Sequence, residues 1–348
     1  MQRRTFLTIS GMAALATRAP LFRFMENTRF DGSHKLRKPP RLRPGMTVGL
    51  IAPASPFTPE KLAAARQNLA GLGLNIRESA NLHAQNGYLA GTDEQRLADL
   101  YWAFESPDID AVWCIRGGYG CSRLLPMIDF KRIGKTPKVF IGYSDVTALH
   151  QAIQQQTGLV TFHGPVAASE FPENTLQHFR SVLMEPVAPY SVSVPQTADL
   201  PDDELYKPFV VTPGSATGPL CGGNLTLLAA LVGTTFAPSY RNKLVFMEDV
   251  GEQPYRIDRM LTQMLQGSDL SEAAGIALGV FADCKAKGDG PTLSLAETLR
   301  DRLGKLGIPV LYGLPFGHVA HQMTFPYGIS AHLDADNGTL SLLETGVI

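Results

Sequence analysis

The chain has 348 residues, 44% hydrophobic and 18% charged, with a formal net charge of −1. That composition is ordinary for a folded protein with real cores, and at about 150 residues per domain the length suggests two domains. The near-neutral balance, with no basic stripe interleaved with aromatics, excludes a globally basic nucleic-acid binder, and no apolar run approaches the ~18 residues that would span a bilayer.

The N-terminus departs from this composition. It begins Met1-Gln2-Arg3-Arg4-Thr5-Phe6-Leu7 and runs through a short apolar stretch to Ala16. Paired arginines followed by x-Phe-Leu resemble a bacterial twin-arginine export signal, and Ala14-Leu15-Ala16 fits the small-x-small cleavage rule. A frayed basic tail is the alternative, and it would require neither feature. The expectation is therefore a leader over residues 1–40 lying outside the fold, and a periplasmic protein with no stable membrane insertion once the signal is cleaved. A cytoplasmic location is the alternative. Four cysteines, Cys114, Cys121, Cys221 and Cys284, are too few for a disulfide scaffold and form no CxxC pair. Cys114 lies in an apolar strand-like run and reads as core.

From Thr47 the chain alternates strand and helix patterns. Thr47–Ala52 (TVGLIA) reads as a buried strand ended by Pro53 and Pro56. Thr58-Pro59-Glu60 opens a helix with proline at its first position, and Leu62, Ala65, Leu69 and Leu72 form its apolar face. Leu74–Arg77 is a short second strand. Thr92 with Gln95 makes a capping box for a second helix, whose face is Leu97, Leu100, Tyr101 and Phe104. Ala111–Ile115 is a third strand, followed at once by Arg116-Gly117-Gly118-Tyr119-Gly120, and a short helix is expected from Ser122. An apolar strand then ends at Gly142, Asp145–Gln156 has helical composition, and Leu159–Phe162 reads as a further strand. This alternation implies a doubly wound, mainly parallel sheet over residues 41–173, with ligands gathering outside the carboxyl ends of its strands.

Residues 174–219 are rich in Pro, Ser, Asp and Thr and read as a crossing segment. A second domain, residues 220–348, opens with Gly222-Gly223-Asn224 and an apolar helix, Leu225–Leu231. Strands are expected at Lys243–Met247, Gly275–Phe281 and Pro309–Tyr312, a helix at Tyr255–Leu265, and a hairpin at Asp336-Asn337-Gly338.

Chemistry concentrates at the strand ends. Ser144 sits on a strand-to-helix junction, where a hydroxyl stands clear of both flanking backbones and the opening helix amides favour negative charge. A Ser-Asp helix cap explains the same residues. Glu248 is the first acid after an apolar strand, and His318 lies in a loop after the strand at Pro309. A serine needs a base to remove its proton, and an acid fixes the tautomer of that base, so Ser, Glu and His are chemically sufficient. Glu248 could instead solvate a strand end, and His150 and His163 are rival bases. A zinc site drawn from His318, His321 and Glu248 rests only on a loop His-x-x-His. A GxGxxG dinucleotide fingerprint is absent from Arg116–Ser122, and Val146 stands where an α/β-hydrolase elbow has its second glycine. An exported solute-binding protein, two lobes around a cleft, is the non-enzyme alternative.

Seven stretches, spread from about Arg41 over nearly the whole chain, resemble the LD-carboxypeptidase family of serine peptidases, which includes muramoyl-tetrapeptide carboxypeptidases and microcin C immunity proteins. They are IAPASP (51–56), RGGYG (116–120), IGYSD (141–145), HGP (163–165), GGNL (222–225), MEDVGEQPYRIDRML (247–261) and PFGH (315–318). The resemblance implies Ser144 as nucleophile, Glu248 as triad acid and His318 as base, with oxyanion donors on the amides around Gly117–Gly118 and of Asp145. It implies a second domain with barrel-like β structure, a homodimer, a muropeptide or other peptide substrate, and neither cofactor nor metal. Arg116 is a candidate for the substrate's terminal carboxylate or, equally, a structural ion-pair partner. Recycling enzymes of this family are typically cytosolic, so the leader is a departure from the family pattern.

Overall fold

The computed structural model describes residues 34–196, 201–288 and 290–348. The twin-arginine stretch therefore lies outside the described residues. In chain order the strands are β1 (Thr47–Ile51), β2 (Asn75–Glu78), β3 (Ala111–Cys114), β4 (Val139–Gly142), β5 (Phe162–His163), β6 (Tyr190–Ser193) and β7 (Phe209–Thr212). They continue with β8 (Ser215–Asn224), β9 (Leu244–Glu248), β10 (Gly275–Val280), β11 (Val310–Gly317), β12 (Phe325–Pro326), β13 (Ser330–Asp334) and β14 (Thr339–Leu342).

The first sheet has the order β12-β5-β4-β3-β1-β2 and is parallel from β5 to β2. Every residue of β3 (AVWC) and β4 (VFIG) is buried, as a parallel strand covered by helices on both faces requires. One of those helices, Asp93–Glu105, starts in the capping box anticipated from sequence. Gln95 N donates to Thr92 Oγ1 (3.3 Å), and Thr92 N donates to Gln95 Oε1 (2.9 Å).

The second sheet runs β6-β14-β13-β8-β9-β10-β11-β7, with β8 to β11 parallel and antiparallel strands at both ends. It curls enough for β11 to approach β6 and β10 to approach β13, which gives it a barrel-like form. The hairpin turn at Asp336–Gly338 joins β13 to β14. The two sheets are not separated cleanly along the chain: β12, from the C-terminal half, pairs antiparallel with β5, placing Phe325 opposite His163.

Several expectations need correction. Residues 174–219 are not a bare crossing segment: they hold most of the helix Glu173–Phe179, all of β6 and β7, and the start of β8. β6 and β7 are four-residue edge strands with mostly half-buried or exposed side chains, set among Pro, Ser, Asp and Thr, so the surrounding composition hides them. The leader does not extend to residue 40. Arg37 bridges Leu159, Ile348 N donates to Pro39 O (3.0 Å) and Lys38 pairs with Glu344 (2.6 Å), so residues 37–39 are tied into the fold. The strand expected at Leu159–Phe162 is shifted to Phe162–His163, and β11 runs on to Gly317 rather than ending at Tyr312. A 3-10 turn, Ser144–Val146, precedes the helix Thr147–Thr157 where one continuous helix was expected.

All four cysteines are buried and unbonded, Cys114 in the core as expected. Among the described residues no helix is long and apolar enough to cross a membrane.

Candidate active site

The junction after β4 is built around one unusual backbone conformation. Tyr143 is extended (φ −149°), and Ser144 then turns into the left-handed region (φ 64°) before the helix Thr147–Thr157 begins. A non-glycine residue held there costs about 1–3 kcal/mol and persists only where its surroundings enforce it. The turn lifts the hydroxyl off the carboxyl edge of the first sheet.

The second sheet supplies what faces it. Glu248 is the last residue of β9, and its carboxylate is fully buried. His318 follows the end of β11, where Gly317 has φ 111° and a side chain would crowd Glu248 Cβ at 3.0 Å. Only glycine lets the chain turn there and bring the imidazole beside the carboxylate. His318 Nδ1 lies 2.7 Å from Glu248 Oε2, and His318 Nε2 lies 3.1 Å from Ser144 Oγ. With Nδ1 protonated and donating to the carboxylate, Nε2 is left to accept from the serine hydroxyl. The Tyr143 ring packs 4.9 Å from the His318 ring and walls off one side.

Electrostatics favour a base. Burial opposes the charged imidazolium, but the Glu248 charge, its hydrogen bond and the more distant Asp249 outweigh it, raising the His318 pKa. The rival histidines behave oppositely. Burial pushes His150 down to about 3, and its Nε2 is engaged with Gly142 O at 2.9 Å. His163, enclosed by Phe246, Phe316 and Phe325, is pushed well below the ordinary histidine value by burial, then by the neighbouring His150 and His318. The structure brings His318, and neither of these two, against Ser144.

The glycine loop lies on the other side of the hydroxyl. A methyl on Gly117 would sit 3.2 Å from Ser144 Oγ, so any side chain there would press on the hydroxyl. Among the described residues the amides of Gly117, Gly118 and Asp145 enter no backbone hydrogen bond of a turn or loop. Arg116 is half-buried. It donates from Nη1 to Pro56 O (2.9 Å) and from Nε to Gly117 O (3.2 Å), and it has no carboxylate partner among the described residues. The ion-pair reading of Arg116 is thereby corrected: it braces two carbonyls.

Three further side chains hold this loop; sequence reasoning assigns no role to Ser55 or Arg96 and names Asp145 for its amide and as a helix cap, not for this side-chain contact. Ser55 Oγ accepts from Tyr119 N (3.1 Å), and Asp145 Oδ2 accepts from Cys121 N (2.8 Å). Burial raises the Asp145 pKa against the pull of those donated bonds. Arg96 is buried in the second helix and donates from Nη1 to Pro53 O (2.5 Å) and Gly120 O (2.9 Å), while also pairing with Asp93. Ser55 stood in a quoted motif, but an arginine on an amphipathic helix carries no sequence sign of burial.

Strained serine, imidazole, buried carboxylate and waiting amides form the apparatus of acyl transfer through a covalent intermediate. Fold and site together define a serine hydrolase of the peptidase type.

Residues 48–164 match the LD-carboxypeptidase N-terminal domain and residues 217–333 the LD-carboxypeptidase C-terminal domain. A Bacillus subtilis protein named "Probable murein peptide carboxypeptidase" is 42% identical over 310 residues, covering 89% of this chain and 95% of that protein. The murein tetrapeptide carboxypeptidase of Pseudomonas aeruginosa is 37% identical over 299 residues, covering 83% and 93%. Among solved structures, the muramoyltetrapeptide carboxypeptidase from Oxalobacter formigenes superposes with a TM-score of 0.74 at 30% identity, covering 86% of this chain and 99% of that one. The chain belongs to the LD-carboxypeptidase family.

Proposed function

We propose that the protein is an L,D-carboxypeptidase that removes the terminal D-alanine from murein tetrapeptides, leaving a tripeptide. The observation that carries this reading is the chain of contacts Ser144–His318–Glu248, at 3.1 and 2.7 Å, joined across the two sheets. The relatives' names supply the substrate class.

In this reading Ser144 Oγ attacks the carbonyl before the terminal D-alanine while His318 Nε2 takes its proton. Glu248 holds the imidazole in the required tautomer and stabilises the imidazolium. The amides of Gly117, Gly118 and Asp145 receive the developing oxyanion. His318 returns the proton to the leaving D-alanine amine, and water, activated by the same imidazole, releases the tripeptide from Ser144. Arg116 offers its remaining guanidinium nitrogen, Nη2, to the substrate's terminal carboxylate.

The test compares a murein tetrapeptide, its terminal amide and an all-L analogue, with release followed by mass spectrometry. The tetrapeptide should be cut, the all-L analogue should resist, and the amide should lose roughly 2–5 kcal/mol of transition-state stabilisation where a cation is left unpaired. Equal cleavage of all three would reject an L,D-carboxypeptidase. Cleavage of none, by protein whose Ser144 still reacts with an acylating probe, would favour an immunity-type substrate. Tight binding without turnover would favour solute capture.

Two further parts of the reading concern the whole protein in its cell. The Arg3-Arg4-Thr5-Phe6-Leu7 leader supports twin-arginine export to the periplasm, and replacing Arg3 and Arg4 by Lys should retain precursor in the cytoplasm; unchanged fractionation would reject that route. A homodimer follows from the family resemblance, and a monomeric mass at micromolar concentration in light scattering would reject it.

A further inference from the structure

The nucleophile and its acid and base stand on different sheets, so the 3.1 Å gap between Ser144 Oγ and His318 Nε2 is set by whatever fixes one sheet against the other. One buried cluster does this within a single turn of the serine. Asn224 N, at the end of β8, donates to Thr147 Oγ1 at 3.0 Å, and Thr147 opens the helix that Ser144 leads into. The Tyr327 hydroxyl, which lies with Thr147 around Gly223, donates to Gly222 O at 3.0 Å. One helical turn further on, Gln151 Nε2 donates to the same carbonyl at 2.5 Å. Thr147, Gln151, Asn224 and Tyr327 are all buried, and β8 pairs Asn224 directly with Glu248. The approach is close enough that a side chain on Gly223 would lie 2.6 Å from Thr147 Oγ1.

We propose that Thr147 is a positioning residue that registers the nucleophile on its acid and base. It acts through a hydrogen-bonded path from the serine's helix into the strand beside Glu248, with Gln151 as a second tie. A one-ångström error in such a register is enough to cost about 10²-fold in rate. The proposal rests on the serine-hydrolase chemistry above but not on the choice of muropeptide.

Thr147→Val keeps the shape and removes the acceptor, whereas Thr147→Ser keeps the acceptor. Two readouts are taken on folded protein: kcat and KM on the tetrapeptide, and the rate at which a fluorophosphonate labels Ser144. Thr147→Val should lower kcat and the labelling rate together by about 10–100-fold with KM changed less than about threefold, and Thr147→Ser should recover most of the loss. In a His318→Ala background, where there is no base to register, Thr147→Val should add little. If Thr147→Val does not fold, Gln151→Met, which removes the second tie, should show the same pattern more weakly. A lowered melting temperature with unchanged kcat and labelling would overturn the proposal, as would full additivity with His318→Ala. Labelling by the probe without tetrapeptide turnover would count against the substrate reading and leave the labelling comparison to decide this one.

Discussion

The two sheets hold their halves of the site by different means. On the first, the nucleophile and the glycine loop depend on backbone conformations that the sheet does not supply. Ser144 sits at φ 64°, Gly118 at φ 121°, and the glycine loop around Gly118 is pinned by Ser55, Arg96 and Asp145. On the second, Glu248 ends β9 and His318 follows β11, the two strands flanking β10, so the strand ends deliver the pair within 2.7 Å with a single glycine turn at Gly317. One half of the site holds a non-glycine residue in a strained turn and needs braces; the other takes its precision from hydrogen-bonded strands closed by one glycine turn. Substitutions should therefore act differently on the two sides, through turn geometry on the first and through charge and tautomer on the second.

The largest effect removes the contact where the halves meet. Ser144→Ala or His318→Ala should lower kcat on the order of 10⁴-fold or more, and the double variant should be hardly worse than either single one, because triad members act as a unit. Near-normal turnover by Ser144→Ala would dismiss the nucleophile assignment.

A substitution confined to the braced side comes next. At Gly118 a methyl would collide with the Ser55 side chain in a backbone conformation that other residues rarely adopt. Gly118→Ala should cost about 10²–10³-fold in kcat, the scale of a lost oxyanion donor. Fluorophosphonate labelling of the variant, which tests the same amides, should slow in parallel; unimpaired labelling would contradict the role given to this loop.

The strand-built side is sharpened by pH. His318 must be neutral to accept a proton, and its pKa is raised, with burial outweighed by Glu248 and Asp249. The rate should accordingly climb with pH through a limb above the ordinary histidine value of 6.5. Glu248→Gln should move that limb downward while reducing the maximum. The sign for stability is the reverse. The Glu248–His318 pairing stabilises the fold below the unfolded-state histidine pKa, and that contribution disappears as pH rises through the folded value. A limb that Glu248→Gln leaves in place would mean another group titrates.

The smallest effect is a control far from the chemistry. Thr92→Ala removes one half of a capping box on the helix that carries Arg96, and should cost about 1 kcal/mol in denaturant unfolding with kcat unchanged. A fall in kcat would show that this helix, through Arg96 and Gly120 O, transmits to the glycine loop.

What could be read along the chain is short-range. The capping box at Thr92, the proline at the first helical position after Thr58, the hairpin at Asp336–Gly338 and the strand–turn–helix at Ser144 are each decided by residues within a turn of one another, so local preference identifies them. The alternation of strands and helices to residue 173 likewise follows from hydrophobic period. Edge strands such as β6 and β7 escaped because a half-exposed strand needs its neighbour before its pattern means anything. Ser144 and His318 are 174 residues apart and Glu248 lies 70 from His318, so spacing and local pattern leave His318, His150 and His163 open. The family resemblance favours His318, and sheet order, register and the docking of one sheet on the other supply the physical reason. Only the tertiary structure singles out Arg96 and Thr147. A buried hydrogen bond between distant segments leaves no periodicity in sequence, because its energy depends on desolvation and geometry that exist only after folding.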